Sequence, residues 1–288
     1  IADVLYAANV ENDIFRLGYR LKLGTYHSKL LPLATAYLAF LNTDKLTGEQ
    51  VSTEFYNLAC TYTIQPGPEY TTIRLTGLQE NFVPATKLLE SLLRTCQPNE
   101  QALADLKART QKSRADAKLN KGTIMQGLMS YAQYGPQNPF NNTLTDAELQ
   151  AVTAKELVDF LRSLVNFPHQ IIYYGPLPQA QFEQQIVKLH ALPTQFAAVS
   201  PKRDYKQQPQ TANQVLFADY DMVQSEISWV RNTSAYDPAQ APLVEFFNSY
   251  FGGGMGSVVF QTLRESKALA YSTYAFYNTP PKKGEQYT

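Results

Sequence analysis

Residues 14–23 constrain the fold of this chain more than any other stretch. Phe15, Leu17, Tyr19, Leu21 and Leu23 alternate with Arg16, Gly18, Arg20 and Lys22. Successive side chains on a strand point to opposite faces, so this period demands a β-strand in a sheet with one buried and one solvated side. A slip of one residue would turn Arg16, Arg20 and Lys22 into the core, so the register is strongly specified. Residues 60–65 and 70–76 alternate again, and Pro66-Gly67-Pro68 between them marks the turn of a hairpin. Residues 170–174 form a short apolar strand closed by Gly175-Pro176.

Helical signals lie between these strands. An apolar helix is expected over residues 30–41, and Thr47-x-x-Gln50 is a capping box opening a helix with Val51, Phe55 and Leu58 on one stripe. Leu88, Leu89, Leu92 and Leu93 mark the buried side of a helix over 83–95, and Asn99 opens a long charged helix to about Lys118. A helix over 124–134 ends at Gly135-Pro136. Thr145-x-x-Glu148 and Thr153-x-x-Glu156 are further capping boxes, and residues 179–189 form an amphipathic helix. This order reads as α+β layers, a mainly antiparallel sheet covered by helices, rather than a βαβ ladder.

The composition then shifts. Residues 193–213 are rich in Gln, Pro, Lys and Ala with little periodicity, which reads as an interdomain linker. Strands are expected over 214–221 and 226–231, and Asp237 caps a helix with Pro238 at its first position. That helix runs into Gly252-Gly253-Gly254; a second helix starts near Met255, breaks near Ser266, and gives way to a strand from about Leu269. Residues 251–277 echo the scheme of 38–63. The expected organisation is therefore a domain over 1–192, a linker over 193–213, and over 214–288 the first part of a second, truncated domain of the same kind.

Composition removes some function classes. The formal net charge is zero, which leaves no basic footprint for nucleic acid. No apolar run approaches the ~18 residues of a membrane span. Cys60 and Cys96 are the only cysteines and make no C-x-x-C pair, so they read as buried free thiols. His27, His169 and His190 have no partner at helical spacing and read as surface or core residues.

The run from Tyr250 to Tyr277 carries a more specific pattern: the glycine-rich turn Gly252 to Gly256, a helix ending in Leu263-Arg264-Glu265, a short gap, then Ala270-Tyr271-Ser272. It resembles the C-terminal domains of the pitrilysin/insulinase family of zinc metallopeptidases, which the mitochondrial processing peptidases also join. The resemblance implies that Arg264 and Tyr271 reach toward a zinc site and bind substrate peptide. Read singly, Arg264 is also the cation that a helix C-terminus favours, and Tyr271 also reads as a core aromatic.

The family's active domain carries H-x-x-E-H on a helix, in which two histidines bind zinc and the glutamate is the general base. In the corresponding place this chain has Leu33, Ala36 and Tyr37, which cannot stand in for zinc ligands and base. The resemblance thus implies no metal and no independent catalysis in this chain, with zinc in the N-terminal half of a parent peptidase. The implied partners are that half, or a homologous subunit, and a peptide substrate; a cell-envelope or periplasmic setting is the expectation attached to it. A non-catalytic scaffold subunit of the same fold is the alternative. An intact H-x-x-E-H in the partner half would favour the enzyme.

Overall fold

The computed structural model describes residues 3–280, 282 and 284–288, and the chain divides into two compact units, Ile1–Asp116 with Asn142–Asp204 and Ala117–Asn141 with Tyr205–Thr288. The helices along the chain are α1 (Leu31–Leu38), α2 (Gly48–Asn57), α3 (Phe82–Thr95), α4 (Glu100–Ala117), α5 (Lys121–Tyr134), α6 (Asp146–Ala151), α7 (Ala154–Ser163), α8 (Gln179–Leu189) and α9 (Ala241–Phe247). Of these, α5 and α9 belong to the second unit.

The first unit is built on a five-stranded sheet of β1 (Asp3–Ala8), β2 (Ile14–Leu21), β3 (Thr61–Pro66), β4 (Thr71–Leu78) and β5 (His169–Gly175), in the order β1-β5-β2-β4-β3. β2 runs antiparallel to both neighbours, β3 and β4 pair as the expected hairpin, and only β1 lies parallel, on β5. All four segments read as strands in this part of the chain share the sheet, and the architecture is α+β. β1 was not anticipated: its sequence DVLYAA does not alternate, and its partner β5 lies far along the chain.

Helix boundaries follow their caps. Thr47 and Gln50 form a reciprocal box at α2, with bonds of 2.8 and 3.2 Å, and Thr145 and Glu148 do the same at α6, with bonds of 2.7 and 3.1 Å. Thr153 caps α7 through the Glu156 N–H alone, at 3.2 Å. The odd-numbered side chains of β2, Phe15 to Leu21, are buried against the helices. Phe15 meets Phe82 of α3 edge-on at 5.1 Å, and Tyr173 of β5 stacks on Phe182 of α8 at 4.2 Å. Each such burial contributes about 1.5–3 kcal/mol, with roughly 0.5–1.5 kcal/mol more from a well-oriented ring pair.

Two polar devices tie this core together. Tyr37 of α1 is fully buried, and its hydroxyl donates to the Asn99 carbonyl and accepts the Asn99 N–H, both at 2.7 Å. It therefore anchors the residue from which α4 starts. The second device joins α3, α8 and β5. Glu90 takes the Arg94 Nε–H at 2.9 Å on one oxygen and faces His190 Nδ1 at 2.8 Å on the other. His190 Nε2 lies 2.9 Å from His169 Nε2, and His169 Nδ1 lies 2.7 Å from the Phe167 carbonyl.

A carbonyl can only accept, so His169 carries its proton on Nδ1 and, when neutral, accepts at Nε2. His190 then donates through both nitrogens, to His169 and to the ionised Glu90. Burial holds the His169 imidazolium below its ordinary value of 6.5, and the neighbouring His190 charge acts the same way. Burial alone would raise the Glu90 carboxyl, but the hydrogen bonds and charges of His190 and Arg94 outweigh it and keep it below the ordinary range. The His169–His190 pair, separated by most of a strand–helix unit, left no spacing signal in the sequence.

In the second unit Asp237 caps the helix start as expected, accepting the Ala239 N–H at 3.0 Å. α5 ends at Gly135, whose φ of 76° only glycine adopts readily. The expected strands over 214–221, over 226–231 and from about Leu269 are a correction: these residues are not paired in a ladder. Alternation prepares a face, but a strand exists only where a neighbour supplies the other half of its hydrogen bonds. Here Phe217, Ile227, Trp229 and Tyr274 stay exposed, and Ala235 bridges Gln286 instead.

Two measurements test this packing. Tyr37→Phe removes the only hydroxyl serving the Asn99 N–H, and should cost about 1–3 kcal/mol in urea unfolding with the fold retained; an unchanged midpoint would mean that water replaces it without loss. The His169 contribution has a defined sign. Its depressed folded-state value means that stability is fully present above about 6.5 and is lost as pH falls toward that folded-state value. The stability lead of the wild type over His169→Gln should therefore shrink as pH is lowered below about 6.5, and a lead that widened on acidification would contradict the assignment.

Candidate functional site

The sequence-derived site residues fall at two places, described separately. Arg264 lies in a stretch wound as a π-helix, Phe260–Ser266. The helix stops because Ala268 takes a left-handed φ of 50°, with its N–H bonded to the Arg264 carbonyl at 3.1 Å and the Leu269 N–H bonded to the Leu263 carbonyl at 2.9 Å. This reversal brings the chain back along the helix end. The Arg264 guanidinium carbon then sits 4.7 Å from the centre of the Tyr271 ring and 4.8 Å from that of Phe260.

Arg264 thus lies over two aromatic rings, each contact worth about 0.5–1 kcal/mol at an exposed site. Face-on stacking leaves the in-plane N–H groups free to donate. Its Nε lies 3.6 Å from a Glu265 carboxylate oxygen. Tyr271 is 83% exposed, so its hydroxyl faces solvent rather than a core. Arg264 and Tyr271 are therefore brought together, and neither is core filling. Phe260, the third member, went unread because a Phe on a helix normally signals packing.

The glycines set the frame. A Cβ on Gly252 would lie 1.5 Å from the Ala275 carbonyl oxygen, so only glycine lets the returning chain cross here. The Asn248 side chain pairs with that chain in both directions, donating to the Tyr277 carbonyl at 3.0 Å and accepting its N–H at 2.5 Å. Gly254 completes the turn with a φ of 79°.

The residues that the resemblance sets against the zinc motif, Leu33, Ala36 and Tyr37, are on α1. Leu33 and Tyr37 are buried and Ala36 is exposed, so the three do not share a surface. None offers a nitrogen, sulfur or carboxylate donor, and the one oxygen, on Tyr37, is committed to Asn99. These residues do not fit a zinc ion. Among the described residues no group of three or more His, Cys, Asp or Glu is gathered to hold a metal, and no helix is long and apolar enough to cross a membrane.

Comparison with known proteins bears on this arrangement. Residues 151–284 match the family model described as the Peptidase M16 inactive domain, a span that contains Arg264 and Tyr271. No curated protein matches the chain. Among solved structures, the fold resembles a peptidase M16 inactive domain from Pseudomonas fluorescens, with a TM-score of 0.70 at 17% identity over 99% of this chain and 71% of that one. A protease from Helicobacter pylori gives 0.70 at 12% identity over 99% of this chain and 71% of that one. The periplasmic protease PqqL from Escherichia coli gives 0.59 at 12% identity, over 69% of this chain and 22% of that one. Residues 151–284 thus match the Peptidase M16 inactive domain model, and the chain shares the fold of a solved peptidase M16 inactive domain, consistent with a pitrilysin/insulinase-like C-terminal half.

Proposed function

We propose that this chain is the substrate-enclosing, non-catalytic half of a zinc endopeptidase, and that Arg264 and Tyr271 donate hydrogen bonds to the peptide held at the active site of the other half. The partner is a zinc-binding half of the same protein or a homologous subunit. The observation that carries this reading is the exposed stack of Arg264 on Tyr271, which orients two donors of different kind outward from one helix end. The other half supplies the metal, and with it the activation of water.

What this chain's residues do follows from the charge that hydrolysis develops. Negative charge grows on the scissile carbonyl oxygen. A preorganised donor aimed at it is typically worth about 3–4 kcal/mol. Arg264 brings a permanent charge and a planar fork of donors, and Tyr271 brings a phenolic O–H on a ring already fixed by the guanidinium. Either donor also suits a neighbouring substrate carbonyl, where it would tighten binding without changing the chemical step.

The test pairs this chain with its zinc-bearing partner half. Tyr271→Phe keeps the ring that stacks on Arg264 and removes only the hydroxyl. Both Tyr271→Phe and Arg264→Ala should lower kcat/KM at least about tenfold, roughly 1.4 kcal/mol, with zinc content and folding unchanged. Intact kinetics in Tyr271→Phe would leave the tyrosine a packing role only. A pair with no peptidase activity at all would point instead to a scaffold subunit. Alone, the chain should show neither stoichiometric zinc nor chelator-sensitive hydrolysis, and finding both would overturn the reading.

A further inference from the structure

The second face of the sheet is unaccounted for by anything above. β2 buries its odd-numbered side chains, and its even-numbered ones, Arg16 and Arg20, are exposed. In the register of the sheet, Gly18 between them lies opposite Arg74 of β4, which is exposed too. Three guanidinium groups therefore share one open patch. Along β2 the two arginines are about 13 Å apart, four residues at ~3.3 Å each, and Arg74 stands between them one strand over, about 4.8 Å away.

Like charges gathered on a sheet face repel, and the usual remedy is an interleaved acid. Here none of the three arginines has an ion-pair or side-chain hydrogen-bond partner among the described residues. The acid among the strand residues of this face is Asp3, on edge strand β1, separated from Arg20 by Gln170. Glu69, beside the patch, is bound to Lys202 at 2.6 Å.

Aromatic rings support two of the three guanidinium groups instead. The Arg20 guanidinium carbon lies 4.3 Å from the centre of the Tyr70 ring, and that of Arg16 lies 5.9 Å from Tyr174. A guanidinium held over a ring keeps its hydrogen-bonding edge turned outward, the arrangement that takes a carboxylate in two parallel bonds.

We infer that this face is a docking surface for an acidic polypeptide segment, bound in extended form with its Asp or Glu carboxylates on Arg16, Arg20 and Arg74. The spacing favours that occupant. An extended peptide places same-side carboxylates ~6.6 Å apart, which matches the step from either β2 arginine to the Arg74 position along the strand direction. Nucleic acid is the weaker fit, because proteins that hold it through phosphates typically use about 6–10 such contacts and a net basic charge. With Lys22, exposed just beyond the strand, the face carries four basic groups, the low end of the roughly 4–8 that an anionic membrane calls for. The inference does not require the parent to be a peptidase: the face would bind such a segment in a scaffold subunit as well.

The test uses the full 288-residue chain and a fluorescent oligoglutamate peptide of about eight residues, long enough to cross the patch at ~3.3 Å per residue. Fluorescence anisotropy should show saturable binding that weakens between about 50 and 200 mM salt. The combined variant Arg16→Gln, Arg20→Gln, Arg74→Gln changes exposed side chains only, and its circular dichroism should match the wild type. Its affinity for the peptide should fall at least about tenfold, while an oligolysine control binds neither protein. No binding by the wild type, or equal binding by the triple variant, would overturn the inference. So would tighter binding of a single-stranded DNA of the same length or of phosphatidylserine vesicles.

Discussion

Strand β2 carries the first unit because it is paired on both edges and asked for something different on each face. β4 and β5 fix it by hydrogen bonds along its length, so its residues have no freedom to slide. A shift of one position would drive arginines into the core and expose Phe15, Leu17 and Tyr19. The helices can therefore pack against only one surface. The same constraint places Tyr19 against His190, with ring centres 4.4 Å apart and the planes tilted by 30°, beside the polar network. Burying Glu90 there is tolerable because Arg94 and His190 satisfy it, and removing either partner would leave one of its oxygens buried without a hydrogen bond. The network is thus a consequence of the packing and also a lock on it, since it joins α3 to the end of α8 and the start of β5.

Helix α1 serves packing and anchoring. At a metal site, two side chains one helical turn apart must face a shared, accessible point. In α1, Leu33 and Tyr37 instead face the interior, and the phenol reaches across to the backbone of Asn99. A buried hydroxyl that both donates and accepts suits a helix start, where backbone groups lack internal partners.

In the second unit, local backbone geometry takes the place of a large core. Gly252 lets two chain segments cross, Asn248 stitches the crossing, and the left-handed Ala268 returns the chain over the helix end. The reversal also brings Arg264 over the rings of Phe260 and Tyr271. A guanidinium that contacts two rings has already lost conformational freedom in the folded chain.

Much of this was legible in the sequence. Strict alternation over residues 14–23, the Pro-Gly-Pro turn and the Thr47 and Thr145 capping boxes each encode their structure in neighbouring residues, because strand faces, turns and helix starts are local. That Leu33 and Ala36 carry no metal-binding atom was equally plain from the sequence; that the Tyr37 hydroxyl is committed to Asn99 was not. Other features depend on residues far apart in the chain. Only the folded arrangement set β1 beside β5, His169 against His190, and Tyr37 against Asn99. It also decided that the alternating stretches 214–221 and 226–231 would stay unpaired, because a strand needs a partner that its own residues cannot name. The same holds for the basic face: the sequence placed Arg16 and Arg20 on one side of a strand, and the pairing of β2 with β4 brought Arg74 between them.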